Sequence, residues 1–130
     1  MKATTPSLGL TVLRVVVGIV FLVHGYQKLF QMGPHKVAGF FHMSGIPLPL
    51  VSAAIVTLVE FVGGILLVLG VATRVAAALN AIDMAVAILV VHLKHGFYNQ
   101  NMGFEYPLVM LAATLCLALA GGGAFSLKSS

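Results

Sequence analysis

Four apolar stretches, each long enough to cross a bilayer, run through this chain with short connectors between them: residues 8–30, 50–70, 72–93 and 104–120. A hydrocarbon core of about 30 Å takes roughly 20 helical residues to cross. The stretches lack the period-two polarity of barrel strands and are apolar on every side. In lipid such a segment has to satisfy its own backbone polar groups, which a helix does. The fold class expected is therefore an all-α membrane protein, one domain over residues 1–130 built as a bundle of four transmembrane helices. Composition agrees, since 60% of residues are hydrophobic and only 8% charged, far from the average soluble domain.

Lys2 ahead of an apolar run has the start of a secretion signal, but the run contains Arg14 and ends in "HGYQKLF" with no small-residue cleavage pattern. It reads as a retained first span. The formal charge of +4 comes from cations scattered singly near span ends, a pattern for lipid headgroups, with no nucleic-acid face. Loop cations tie, with Lys2, Arg74 and Lys128 on the terminal side against Lys28, Lys36 and Lys94, so charge alone does not orient the chain. Cys116 is the single cysteine, which excludes an intrachain disulfide or a cysteine metal cluster. It is expected as a small packed residue of the fourth span.

Between the first two spans lies "GPHKVAGFFHMSGIPLP". Pro34 suits a first helical position, Gly45 a left-handed C-cap, and Pro47 and Pro49 stop continuation. A short interfacial helix of about three turns is expected, with Val37, Phe40 and Phe41 on its apolar side and His35, Lys36 and His42 towards headgroups or water. "GVATR" is a tight hairpin that makes the second and third spans antiparallel neighbours. In the third connection, Tyr98, Asn99, Gln100 and Asn101 are expected to fold over the open end of the bundle.

Ionisable residues inside the spans are the candidate functional groups, because each is costly in hydrocarbon and has to face the interior with a partner. Glu60 and Asp83 fall near mid-span, and Arg14 and Asn80 are expected at matching levels. Pairing Arg14 with Glu60 leaves Asp83 over, so the cluster reads as a proton-exchanging or cation-binding site. Helical spacing places Arg14, Val17, Phe21, His24 and Lys28 on one stripe of the first span, with Gly18 and Gly25 on its edge. Ala53, Thr57, Glu60 and Gly64 share a face of the second, Ala76, Asn80, Asp83 and Ala87 of the third, and Glu105, Ala112 and Cys116 of the fourth. Small residues beside polar ones also fit plain helix packing, in which the buried ions are interhelical glue. His24 is either a hydrogen-bonded interior histidine or a proton relay, while His92 and His95 read as interfacial. No metal site and no covalent haem attachment is legible.

The ordered segments "LRVVVGIVFLVHGYQKLF", "SGIPLPL", "VEFVGGILLVLGVATRVAA" and "NMGFEYPLVMLAATLCLALAGGGAFSL" resemble the DoxX family of small bacterial membrane proteins, from about Leu13 to Leu127. The resemblance implies a four-helix bundle in the bacterial cytoplasmic (inner) membrane with both termini cytoplasmic. It carries the family's recurring positions onto Arg14, Gly18, Phe21, Lys28, Glu60, Gly63, Gly64, Thr73, Arg74 and Glu105. Gly121, Gly122 and Gly123 stand where the family usually has Gly-Pro-Gly, and Lys128 where an acid is common. The family's name comes from a relative that resembles a subunit of a thiosulfate:quinone oxidoreductase, so quinone and partner redox subunits are implied.

Two readings follow from the residues and the resemblance together. In the first, the chain is a membrane subunit of a redox system, without a redox centre of its own, that holds a quinone in a cleft lined by Phe21, Phe61 and the polar cluster. Glu60 or Asp83 would exchange protons, His24 relay them and Arg14 set the local potential. In the second it is a non-catalytic binding or assembly module, or a small-molecule carrier, with structural ion pairs. A channel would need a homo-oligomer formed through the glycine faces.

Overall fold

The computed structural model describes residues 3–128. Lys2, counted among the loop cations, lies outside them. Helix α1 covers Thr5–Tyr26, started by Thr4, whose hydroxyl accepts the Ser7 N–H at 3.2 Å. A π-helical turn over Gln27–Met32 prolongs it, giving an apolar helix of 28 residues. Helix α2, Pro34–Met43, begins on its proline and stops at Gly45, whose φ of 80° needs no Cβ. The three-turn helix expected here is present.

Helix α3 covers Pro49–Leu69 and α4 Thr73–Ala87, joined by the expected hairpin with Gly70 left-handed at φ 74°. A second π-helical turn, Ile88–His92, and a 3-10 turn, Leu93–His95, carry α4 to 23 residues. Helix α5 covers Glu105–Ala120. The helices ending at Met32, Leu69 and His95 are long and apolar enough to cross a membrane. With 16 residues, roughly 24 Å, α5 is apolar but shorter than that.

The helices pack as a ring, most extensively α1 on α3 and α4 on α5, with α2 laid against α3. Between α1 and α3 the backbones come together through glycine. A Cβ on Gly25 would strike the Phe61 backbone, and one on Gly64 the Leu22 backbone. These glycine faces are thus consumed inside the chain and are not free for the oligomer contact a channel would need. Gly25→Ala is expected to cost about 2 kcal/mol by overpacking, seen as a lower Tm in detergent, while Gly9→Ala, inside the same helix with nothing within 4 Å, keeps or slightly raises Tm.

The interior faces foreseen for the first three spans are those that pack. The fourth differs: α5 turns Pro107, Met110, Thr114 and Leu117 inward, whereas Ala112 and Cys116 are exposed. Cys116 is therefore a surface residue and not a packed one. With apolar residues all round α5, its sequence offers no contrast to mark the buried side.

Candidate functional site

Glycine contacts fix the register of α1 on α3, with Gly18 against Leu67, Leu22 against Gly64 and Gly25 against Phe61. Glu60 therefore lies at the level of Gly25 and Tyr26. Arg14 is three helical turns away, roughly 16 Å along the axis. The expected Arg14–Glu60 pair does not form. Lys28 takes the place of Arg14, its Nζ 2.7 Å from Glu60 Oε1, with side-chain exposures of 20% and 5%. The long first helix accounts for this: Lys28 is a full turn inside its end at Met32, within reach of mid-span.

Arg14 is 2% exposed and serves the opposite end of the bundle. Its Nη1 donates to the Gly122 carbonyl at 2.8 Å and the Ser126 hydroxyl at 2.7 Å, and its Nη2 to the Phe125 carbonyl at 3.3 Å. Thr11 donates to the Ala124 carbonyl, and the Ala124 N–H to Ser7 O at 3.2 Å. The segment after α5 is thereby folded back across the start of α1 and the α3–α4 hairpin, where the Leu127 and Lys128 amides reach Leu69 and Gly70 carbonyls. Arg14 thus binds carbonyl dipoles and the Ser126 hydroxyl, away from the acids.

Asn80 also departs from the Arg14 level. Its Nδ2 donates to Ala76 O at 2.9 Å and Val59 O at 3.2 Å, against Gly63, so it ties α4 to α3. Glu105 stands apart from the buried cluster as well. It is half-buried at the start of α5 and accepts the Asn99 N–H at 2.8 Å. That bond holds the connecting loop closed upon itself, together with Gly103 to Tyr98 and Phe104 to Gly96 backbone bonds.

What Glu60, Lys28, His24 and Asp83 share is a cavity of about 500 Å³ lined by α1, α3, α4 and α5 beneath α2. Asp83 lines the same cavity as Glu60. Its Oδ2 is buried without a hydrogen-bond partner among the described residues. His24 stacks on Tyr106 with ring centroids 6.1 Å apart. The remaining walls are apolar, with Phe21, Val59 and Val91 at the sides and Phe40 and Phe41 as a roof.

Three wall residues depart from the expectations. Phe61 is not in the cavity and instead meets Phe30 edge-on at 6.1 Å. His92, expected at the interface, stands nine residues and so half a turn of the ideal wheel from Asp83, yet both line the cavity. The π turn over Ile88–His92 winds fewer degrees per residue and brings the ring round. There its Nδ1 is 2.7 Å from Met102 O. Tyr106 was overlooked, although the aromatic in "FEYP" at the entry to an apolar helix was the available signal.

Bundle and cavity together define a class: a small polytopic membrane protein with an acid–lysine cluster at the end of an apolar chamber. The chain belongs to the DoxX family, whose profile matches residues 9–93. It is 38% identical over 115 residues to a Bacillus subtilis protein named "Putative oxidoreductase CatD", covering 88% of this chain and 81% of that one. It is 36% identical to the Mycobacterium tuberculosis membrane protein Rv3486, covering 88% and 76%. The inner membrane protein YphA of Escherichia coli is 28% identical, over 91% and 86%. No solved structure matches the chain.

Proposed function

We propose that this protein is an inner-membrane component of a redox system, one that binds an amphipathic small molecule of quinone type in the cavity and exchanges protons with it at the Glu60–Asp83–Lys28 cluster. The observation that carries the reading is the chamber of about 500 Å³ with apolar walls and one polar end. The orphaned Asp83 Oδ2 gives that end a buried polar atom still in need of a partner. A relative named as an oxidoreductase supports the same direction.

The residues present fit such a ligand. The Lys28 ammonium, His24 and Tyr106 are donors for ring oxygens, and Phe21 and Val91 suit the ring faces. A quinone, when bound, supplies two-electron, two-proton redox chemistry. The chain's part is to orient the head, exclude water, and hold a proton between Asp83 and Glu60 next to the cation that balances them. His24 and His92, on the cavity wall, offer the route by which that proton is replaced. The topology that goes with this reading has α5 as a fourth, short span packed along α4, α2 at the interface as the roof, and both termini on the cytoplasmic side.

Extraction of native protein purified in mild detergent is expected to yield quinone in near-stoichiometric amount, quantified by mass spectrometry. Protein reconstituted without it is expected to bind added quinone in nanodiscs, and Asp83→Asn to bind it but to slow the proton uptake that accompanies its reduction to quinol by an added chemical reductant. Absence of quinone from the native protein combined with no binding after reconstitution removes the proposal.

A further inference from the structure

The cavity is not closed on all sides. Ile55 of α3 and Leu79, Ile82 and Val86 of α4 line it and yet face outward, so it opens sideways through the α3–α4 seam. Along the outside of the same seam runs a second concavity of about 280 Å³, bounded by Val59, Val62, Gly63, Leu66, Val75 and Leu79. Val59 and Leu79 belong to both. No charged side chain lines the outer groove. Its floor is low because Gly63 and Ala76 carry so little, and Asn80 fills the gap beneath them with both amide hydrogens already bonded.

We infer that this groove holds the hydrocarbon tail of the molecule whose head occupies the cavity, which makes the ligand a lipid-dissolved amphiphile that enters sideways between α3 and α4. The inference rests on the function proposed above and adds the tail and the route to it. Continuity is the main argument, since a molecule with its head against Lys28 and Glu60 has an uncharged path outward past Val59 and Leu79. From Val59 to Leu66 that path runs roughly 10 Å along the helix axis towards the hairpin. Depth favours the same occupant. Glu60 lies eleven residues into α3, roughly 16 Å from its start. A phospholipid would have to bury a large charged headgroup to place polar atoms there, whereas a compact uncharged ring reaches it at little cost.

The test compares a tailless quinone with an isoprenoid quinone of the same ring, in nanodiscs of fixed lipid content. The proteins are the wild type, Val62→Trp and Val75→Trp. Both substitutions fill the groove from outside the cavity, at positions 44% and 62% exposed where an indole is accommodated. Each introduces the only tryptophan in the chain, so quenching reports the approach of a quinone tail or ring directly. The wild type is expected to prefer the tailed compound, and each variant to lose about tenfold of that preference, the effect of roughly two buried methylenes. Tailless binding stays at the wild-type level. An unchanged preference in both variants overturns the tail groove and leaves the head site standing. Failure of the wild type to bind either compound overturns the head site and this inference together. A tailed quinone with a photoreactive terminus gives a second measure on wild-type protein: labels within 58–66 and 75–79 support the groove. Labels confined to α1 or α5, or cross-links joining two copies through this seam, refute it.

Discussion

Glu60→Leu is expected to lower the unfolding free energy by about 3 kcal/mol and to end quinone binding. Glu60 is 4% exposed, and its removal strands the Lys28 ammonium in an apolar chamber. Breaking a buried pair from one side costs about 3–5 kcal/mol, and the lower figure applies because Lys28 keeps some access to the cavity. Lys28→Leu is expected to be comparably damaging, since it leaves two facing carboxyls with no cation. The double variant Lys28→Leu with Glu60→Leu distinguishes packing from function. A complete pair exchanged for apolar groups of similar size is often neutral, so Tm returns most of the way to wild type. Binding does not return, because the polar end of the cavity is gone. Thermal unfolding and quinone titration on the same samples check both halves. A double variant that binds like the wild type would mean that the cluster is interhelical glue and nothing more.

Arg14→Leu is expected to fail differently. Its loss costs about 3 kcal/mol, from several hydrogen bonds to a charged donor at roughly 1.5–3 kcal/mol each, reduced because the released carbonyls can turn to water. The segment 121–128 detaches, so hydrogen exchange accelerates at the Ala124, Leu127 and Lys128 amides, which are bonded to Ser7, Leu69 and Gly70. Quinone affinity in the variant stays near wild type, because Arg14 does not line the cavity. Arg14→Lys keeps the charge but not the planar fork that spans Gly122, Phe125 and Ser126, so it is expected to behave more like the leucine than the wild type. A loss of quinone binding with an unmoved tail would restore the pairing of Arg14 with the acids that the sequence alone favours.

These two outcomes separate what was legible in the sequence from what was not. The hairpin around Gly70, the helix begun by Pro34 and the inward faces of the first three spans follow from local rules of spacing, turn chemistry and polarity. The convergence of Glu60 and Asp83 follows from the expense of charge in lipid. The choice of cation did not follow, because a partner for Arg14 was sought among side chains. Apart from the Ser126 hydroxyl, its acceptors are backbone carbonyls, which every residue possesses and no letter of the sequence marks. Depth was also misjudged, since the π turn over Gln27–Met32 lengthens the first helix and brings Lys28 into range. A second π turn did the same for His92. Such turns depend on where one carbonyl bonds, five residues on instead of four, and propensity does not distinguish the two. For α5 the difficulty was compositional, since Ala112, Leu115, Cys116 and Leu119 on its outside are as apolar as the residues within.

The clasp of Arg14 on Gly122 joins residues 108 positions apart, and this has a consequence for biogenesis. The ribosome delivers the first helix to the membrane long before the acceptors for its guanidinium have been made. Until residues 122–126 have been made, the guanidinium lacks the acceptors that hold it in the folded protein. A polypeptide that stops after α5 therefore holds every apolar helix and still lacks the clasp that ties the first of them down.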